Sequence, residues 1–179
     1  MKTHIALLRG INVSGQKLIK MEALRALCVA LCFREVKTYV QSGNVVLKSA
    51  LSAAGVEKKL SAGIKKKFGF EVPVQVFSPA DISNVLKGNP YLEQSGVKVD
   101  RLYVTFLPKA APKSALGKLA TISSGKDTFV AKERYVYLYC PDGYGRSKLT
   151  NTAFEKALGL TATTRNWKTI NALLKLADD

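Results

Sequence analysis

The amino-acid sequence predicts an α+β protein made of two ferredoxin-like β-α-β-β-α-β halves, with antiparallel or mixed sheets and a C-terminal helix. Two observations predict this fold class. Alternating apolar residues, typical of strands, and apolar residues three or four apart, typical of helices, follow one another in the same order twice. A stretch rich in Gly, Pro, Asn and Ser at 88–100 separates the two series. The repeated order predicts a duplication, although the halves share no obvious sequence identity.

The first half is predicted to span residues 1–78. Gly43 and Asn44 form a pair that tolerates positive φ, which favours a hairpin between the second and third strands. Gly69 directly follows a run of helical spacing and is typical of a helix end. The spacing predicts strands at 4–9, 36–40, 45–47 and 72–76 and helices at 21–31 and 56–68.

Residues 79–100 are predicted to form a helix and a linker, and residues 101–179 the second half. Ser78 and Pro79 are typical of a helix start, and Gly88 of its end. In the second half, Thr152-x-x-Glu155 is a capping-box pattern that predicts a helix start at Thr152. The other elements predicted there are strands at 102–107, 128–131, 135–140 and 161–164, a helix at 113–121 and a C-terminal helix from 167.

The charge of the chain is its most unusual compositional feature. Its 179 residues include 28 Lys and Arg but only 13 Asp and Glu, a formal net charge of +15. Both halves contribute, because residues 1–89 carry +9 and residues 90–179 carry +6. Such a charge favours anionic partners: nucleic acid, phosphorylated ligands or a membrane surface. The longest apolar run, 26–33, is too short to span a bilayer, so no membrane partner is expected.

The cysteine and histidine content restricts the chemistry. Three cysteines without an export signal predict free thiols and a cytoplasmic protein. Cys28 and Cys32 are four residues apart and are expected to pack into the core from one helix face. His4 is the only histidine, which argues against Ser-His, Cys-His and multi-histidine zinc schemes. We therefore predict no metal and no cofactor.

Two glycine-containing loops are candidate anion sites. The loop at 9–17 has the glycine spacing of a phosphate loop, but Lys17 is one residue late and Leu18 replaces the expected Ser or Thr. An NTPase is therefore not expected, and a simple glycine turn is the plainer interpretation. The loop at 141–148 combines Gly143 and Gly145 with Arg146, Ser147 and Lys148 ahead of a helix, an arrangement suited to anions. The alternative is a strand-to-helix turn with solvated cations.

Three further features each have two interpretations. Arg165, beside Trp167, could extend an anion site or stack on a base, whereas Trp167 itself is expected to pack. Tyrosines 135, 137 and 139 share one strand face, which could stack bases or lie under a helix. Lysines 58, 59, 65, 66 and 67 decorate the second helix and are expected to form a solvated face.

Four motifs together resemble those of domain-of-unknown-function family 1697. They are Leu8-Arg9-Gly10-Ile11-Asn12-Val13, Gln41-Ser42-Gly43-Asn44-Val45, Gly145-Arg146-Ser147-Lys148-Leu149 and Ala162-Thr163-Thr164-Arg165-Asn166-Trp167. The usual family loop resembles Gly-Ile-Asn-Val-Gly-Gly, so Ser14 departs from it at one glycine. The resemblance implies an intracellular bacterial-type α+β protein with two related halves, and it implies no assigned activity.

The sequence leads to one main functional hypothesis and one alternative. The main hypothesis is a binder of anionic, phosphate-bearing ligands, with nucleic acid as the leading candidate. The alternative is an enzyme acting on a small phosphorylated or nucleotide-like substrate held between the two halves. A third interpretation is an interaction module whose charge only aids solubility. The candidate ligand-binding residues are Arg9, Asn12, Gln41, Asn44, Gly143, Gly145, Arg146, Ser147, Lys148 and Arg165.

Overall fold

The computed structural model describes residues 1–122 and 125–178, and these form an α+β protein. Within the described residues there are two four-stranded antiparallel sheets and six α-helices. The first elements are β1 (Lys2–Leu8), α1 (Met21–Ala30), β2 (Arg34–Tyr39), β3 (Asn44–Ser49), α2 (Ala53–Phe68), β4 (Val74–Phe77) and α3 (Pro79–Lys87). They are followed by β5 (Leu102–Phe106), α4 (Lys113–Ile122), β6 (Thr128–Lys132), β7 (Tyr135–Tyr139), α5 (Asn151–Leu158), β8 (Thr163–Asn166) and α6 (Trp167–Asp178).

The first compact unit comprises Met1–Asn84 together with the chain from Asn171 onward. Its sheet has the strand order β2-β3-β1-β4, and every neighbouring pair is antiparallel. Buried residues of α1 and α2, among them Leu24, Leu27, Leu60 and Ile64, pack with Leu47 of the sheet in one core cluster. The apolar spacing of each helix therefore determines which of its faces is buried.

The second compact unit comprises Val85–Ile170. Its sheet has the strand order β6-β7-β5-β8, again with every neighbouring pair antiparallel. Leu119, Phe154 and Leu158 pack with Val136 and Leu138 in its core cluster. The β6–β7 hairpin turns at Glu133, whose φ is +53°.

The ends of three helices agree with the sequence signals. The hydroxyl of Ser78 accepts a hydrogen bond from the Asp81 N–H at 3.1 Å, and Asp81 Oδ2 accepts one from the Ser78 N–H at 2.8 Å. This reciprocal pair begins α3, as the Ser-Pro signal predicted. Gly69 and Gly159 end α2 and α5 in the left-handed conformation.

The predicted helix start at Thr152 is wrong. Thr150 is the N-cap of α5, and its hydroxyl accepts a hydrogen bond from the Ala153 N–H at 3.2 Å. Thr152 therefore lies inside the helix and is not its cap, and Glu155 Oε1 accepts a hydrogen bond from the Ala162 N–H at 3.1 Å. The glutamate therefore joins the helix to the segment that leads into β8.

The prediction for the cysteine pair is half wrong. Cys28 is buried in α1, and burial raises the pKa of its thiol to about 12. Cys32 lies beyond the end of α1, is exposed and has a φ of +61°. The helix ends before Cys32 because the chain turns at Leu31 to enter β2. None of the helices in the described residues is long and apolar enough to cross a bilayer.

Candidate functional site

In the first unit, four predicted site residues gather at one end of the sheet. Arg9 directly follows β1, and Asn44 begins β3, where it pairs with Leu7. Asn12 lies in the loop after β1, and Gln41 lies in the turn between β2 and β3. Asn12 and Gln41 are in direct contact, because Asn12 Nδ2 donates a hydrogen bond of 2.8 Å to the Gln41 carbonyl.

The amide group of Asn12 holds the loop at 9–17 in shape. Its Nδ2 also donates to the Ile19 carbonyl at 2.9 Å, and its Oδ1 accepts from the Ile19 N–H at 2.8 Å. Its backbone N–H donates to the Lys17 carbonyl at 3.2 Å. The polar atoms of this side chain are therefore used within the protein, and Asn12 stabilises the loop.

The β2–β3 turn lies against the end of β1. Gly43 has a φ of +79°, and a Cβ placed on it would lie 2.7 Å from Leu8 Cβ and 2.9 Å from Ile11 Cδ1. Asn44 is fully buried, and its Nδ2 donates to the Tyr39 carbonyl and to the Ser42 hydroxyl, both at 2.9 Å. Only glycine at position 43 allows the turn to approach Leu8 and Ile11 so closely. The Gln41 side chain remains exposed beside it.

In the second unit, the loop at 141–148 presents two cations on a fixed backbone. Arg146 and Lys148 are exposed, whereas Ser147 between them and Leu149 after them are buried. A short 3-10 turn, Tyr144–Arg146, shapes the loop. Because alternate side chains point into the core, the two cations project to solvent together.

Internal hydrogen bonds fix this loop. The Gly143 N–H donates to the Cys140 carbonyl at 2.9 Å, and the Arg146 N–H donates to the Gly143 carbonyl at 3.1 Å. Ser147 Oγ accepts from the Leu149 N–H at 3.0 Å and is also hydrogen-bonded to the Cys140 thiol. Burial nevertheless raises the pKa of that thiol to about 11. Ser147 therefore anchors the loop, and Gly145 is exposed at its surface.

Arg101 is a further cation at this loop, which the sequence did not indicate. One of its guanidinium nitrogens lies 3.0 Å from the position that a Cβ on Gly143 would occupy. Gly143 has φ +91° and ψ +149°, a conformation that is essentially restricted to glycine. The Arg101 carbonyl also accepts a hydrogen bond from the Cys140 N–H at 3.0 Å. The contact joins residues 42 positions apart, too far for any local pattern to show it.

Arg165 lies in the sheet of the second unit, not in an exposed loop. It is in β8 opposite Val104, is only 8% exposed, and donates from its guanidinium to the Thr164 carbonyl at 2.9 Å. Trp167 is also 8% exposed, which confirms its predicted packing role. Asn166 caps α6 by accepting a hydrogen bond from the Thr169 N–H at 2.8 Å.

The tyrosine face of β7 is covered at its centre, Tyr137. Tyr137 is 2% exposed and donates from its hydroxyl to the Val85 carbonyl at 3.1 Å. Burial raises the pKa of this hydroxyl to about 12. The ring of Tyr139 lies 5.9 Å from that of Tyr91. Of the two interpretations of this face, packing under a helix describes Tyr137, which bonds to Val85 of α3, whereas Tyr135 and Tyr139 are half-buried.

In residues 1–122 and 125–178, no three His, Cys, Asp or Glu side chains lie close enough together to hold a metal ion. The second unit carries two of its predicted cations in the loop at 141–148. Of the predicted site residues there, Arg146 and Lys148 are the charged ones that face solvent.

The fold and these loops define a class: an α+β protein with two four-stranded antiparallel sheets and basic, glycine-containing loops at strand ends. The chain belongs to the family described as "Protein of unknown function (DUF1697)", which matches residues 1–137. The predicted family resemblance is therefore confirmed. The motifs at 145–149 and 162–167 lie beyond the matched residues.

A solved structure has the same fold. It is that of the conserved bacterial protein SP0830 from Streptococcus pneumoniae, with a TM-score of 0.75 and 20% sequence identity. The similarity covers 98% of each chain. None of the curated proteins matches this chain.

Proposed function

We propose that this protein binds phosphate-bearing ligands, with nucleic acid as the leading candidate. The observation that carries the proposal is the pair of exposed cations, Arg146 and Lys148, on the hydrogen-bonded loop at 141–148. Phosphate contacts by Lys and Arg supply most of the affinity in non-specific nucleic-acid binding. A net charge of +15, carried by both halves of the sequence, supports a polyanionic partner.

The fixed backbone of this loop favours binding. Ordering a flexible loop on association has an entropic cost, and a loop that is already hydrogen-bonded avoids much of it. Because Ser147 and Leu149 are buried on the opposite side, the loop presents its cations without a rearrangement of the fold. Arg101, adjacent to Gly143, lies beside the same loop and forms an ion pair with Asp100 at 3.5 Å.

The sequence made Asn12 and Asn44 candidates for holding a ligand, both in the binder and in the alternative, an enzyme acting on a small phosphorylated or nucleotide-like substrate. Such an enzyme would use Asn12 and Asn44 to hold its substrate. Their side-chain nitrogens instead donate to carbonyls and a hydroxyl of the surrounding loops. These residues are therefore better explained as supports for the loops at the sheet end.

We further propose that the two sheets arose by duplication of a ferredoxin-like unit and that the protein is cytoplasmic. The duplication is supported by the identical order of strands and helices, β-α-β-β-α-β, and by matching sheet orders in the two units. A cytoplasmic location is supported by three free cysteines, Cys28, Cys32 and Cys140.

The test compares wild-type protein with the double variant Arg146→Ala/Lys148→Ala, using fluorescence anisotropy of a labelled 20-nucleotide oligo-dT. We expect the affinity to fall, and the slope of log K against log salt to fall by about 1.4, because each single-strand phosphate contact contributes about 0.7. The matched control is Lys109→Ala/Lys118→Ala, which removes two exposed lysines from the same unit. An equal loss in the control would contradict a role for the loop.

A further inference from the structure

The solvent face of α2 is a strip of lysines. With a rise of 1.5 Å per residue, the strip from Lys58 to Lys66 is about 12 Å long. This length exceeds a single phosphate group and fits a chain of phosphates. The lysines of the strip, all exposed, are Lys58, Lys59, Lys65 and Lys66. Lys67 lies on the other side of the helix, where its Nζ donates to the Ala23 carbonyl at 3.3 Å.

The acidic residue of α2 does not neutralise this strip. Glu57 is the one acidic residue in the helix sequence, and its Oε1 accepts a hydrogen bond of 2.8 Å from the Val76 N–H. This N–H belongs to β4, an edge strand of the sheet. The carboxylate is therefore used inside the fold, and the charge of the outer face is left positive.

A groove runs beside the strip. Lys58, Ser61 and Lys65 of α2 line one side, residues 71–73 line the other, and the groove is open to solvent with a volume of about 420 Å³. The hydroxyl of Ser61 donates to the Val72 carbonyl at 3.0 Å, which ties the two sides together. The groove is thus a fixed feature with lysines along one wall.

An anion already lies at this groove: the carboxylate of Glu71. Lys65 Nζ is 2.7 Å from Glu71 Oε1, and Lys17 Nζ donates to the Glu71 carbonyl at 2.7 Å. The hydrogen bond and charge of Lys65, and the charge of Lys17, lower the pKa of this carboxyl. One exposed carboxylate thus lies among the cations Lys17, Lys58 and Lys65. An exposed ion pair of this kind contributes little to stability, so another anion can replace the carboxylate at small cost.

We propose that the lysine strip of α2 and its groove bind the phosphodiester backbone of a nucleic acid, and that a phosphate takes the place of the Glu71 carboxylate. The inference rests on the proposed function and adds a second contact surface to it, in the other unit. The partner is a polymer, because the strip is longer than one phosphate. Its lysines also form two rows along the helix, Lys58 with Lys65 and Lys59 with Lys66, and the two members of each row are seven residues apart.

The distinctive test is Glu71→Gln, which removes the competing anion. We expect this variant to bind a labelled 20-nucleotide oligo-dT about threefold more tightly at 50 mM salt, the scale of one phosphate contact. The matched control, Glu93→Gln, makes the same charge change at an exposed position in the other unit and should have a smaller effect. Lys58→Ala/Lys65→Ala should weaken binding and lower the salt slope by about 1.4.

The outcomes separate this inference from the proposed function. If wild-type protein binds the oligonucleotide, but Glu71→Gln binds like Glu93→Gln and Lys58→Ala/Lys65→Ala binds like wild type, the α2 surface is overturned and the proposed function stands. If inorganic phosphate competes as well as unlabelled oligo-dT at equal phosphate concentration, the partner is not a polymer and the inference is overturned. If wild-type protein does not bind at low salt, both fail. The lysine variant gives a second readout should Glu71→Gln not fold, and thermal unfolding checks each variant.

Discussion

Asn12 Nδ2 lies 2.8 Å from the Gln41 carbonyl oxygen, and this hydrogen bond joins the loop after β1 to the turn between β2 and β3. The same side chain is bonded twice to Ile19. A single amide therefore fixes the geometry of the two family motifs in the first unit. Its role is in the stability of the fold, which can be measured without any ligand.

Asn12→Ala is expected to destabilise the protein by about 1–3 kcal/mol, because it leaves the Ile19 N–H and two carbonyls without their partner. Asn12 also has a φ of +55°, which asparagine tolerates better than alanine. Urea unfolding followed by circular dichroism measures the change. Gln16→Ala, at an exposed position of the same loop, is the control and should change stability by less than about 0.5 kcal/mol. Equal effects would contradict the structural role of Asn12.

Gly43→Ala and Gly15→Ala separate steric overlap from backbone strain. Both glycines have positive φ, +79° and +74°, but only Gly43 has neighbours within 4 Å of an added Cβ. Both variants should lose about 1 kcal/mol from strain. We expect a further loss of about 1–3 kcal/mol for Gly43→Ala, because the new methyl group overlaps Leu8 and Ile11. Calorimetric Tm values test the difference, and similar values for both variants would mean that the turn does not lie against β1.

Glu57→Ala should destabilise the first unit by about 1–3 kcal/mol, because the N–H of Val76, a residue only 4% exposed, loses its acceptor. Glu57→Gln retains an acceptor oxygen and should recover most of that stability. Amide hydrogen exchange at Val76 gives a local readout, with faster exchange in the alanine variant. Equal exchange rates of the Val76 amide in wild type and Glu57→Ala would show that the Glu57 carboxylate does not accept this hydrogen bond.

His4 predicts a pH dependence of stability. The side chain is 4% exposed, and burial lowers its pKa below the ordinary value of 6.5, an effect strengthened by the charge of Lys2 and opposed by backbone hydrogen bonds with Leu51 and Ser49. The unfolded chain therefore binds the proton first as the pH falls. The free energy of unfolding should keep its full value above about pH 6.5. It should decline as the pH falls from there towards the pKa of His4 in the folded protein.

Urea midpoints at pH 7.5, 6.5 and 5.5 measure this decline. His4→Gln, which does not titrate, should show a flatter profile over the same range. The pKa of the Glu71 carboxyl is lowered from its ordinary value of 4.5. Glu71 therefore affects the pH dependence of stability only near and below pH 4.5, outside the range of this measurement. A decline of equal size in the variant would assign the pH dependence to another group.

Helices and strands are predictable from the sequence where the apolar spacing is regular. The residue at which a helix begins is harder to predict. Val56, Leu60 and Ile64 are four residues apart, and all three are buried in α2. Thr150 and Thr152 are both good caps by residue type, and the choice between them depends on where the backbone turns. The extended conformation at Thr150 decides it, which is a property of the folded loop rather than of the local sequence.

Only those parts of the candidate site whose residues are close together in the sequence were predictable. Arg146 and Lys148 were identified because charge and glycine occur together in a short segment. Contacts between distant residues were not accessible, such as Arg101 with Gly143 or Tyr137 with Val85. The lysines of α2 were visible as a charged face, but the inward direction of Glu57 was not. Side-chain direction depends on tertiary contacts, and residue type alone does not determine it.

The central claim is that this protein binds nucleic acid through its phosphates, and the salt dependence of wild-type binding tests it most directly. Anisotropy of labelled 20-nucleotide oligo-dT and of a 20-base-pair duplex would be measured from about 50 to 200 mM salt. The account predicts binding at low salt and a linear fall of log K with log salt, as released counterions require. No binding at 50 mM salt, or an affinity that does not change across the series, would contradict it.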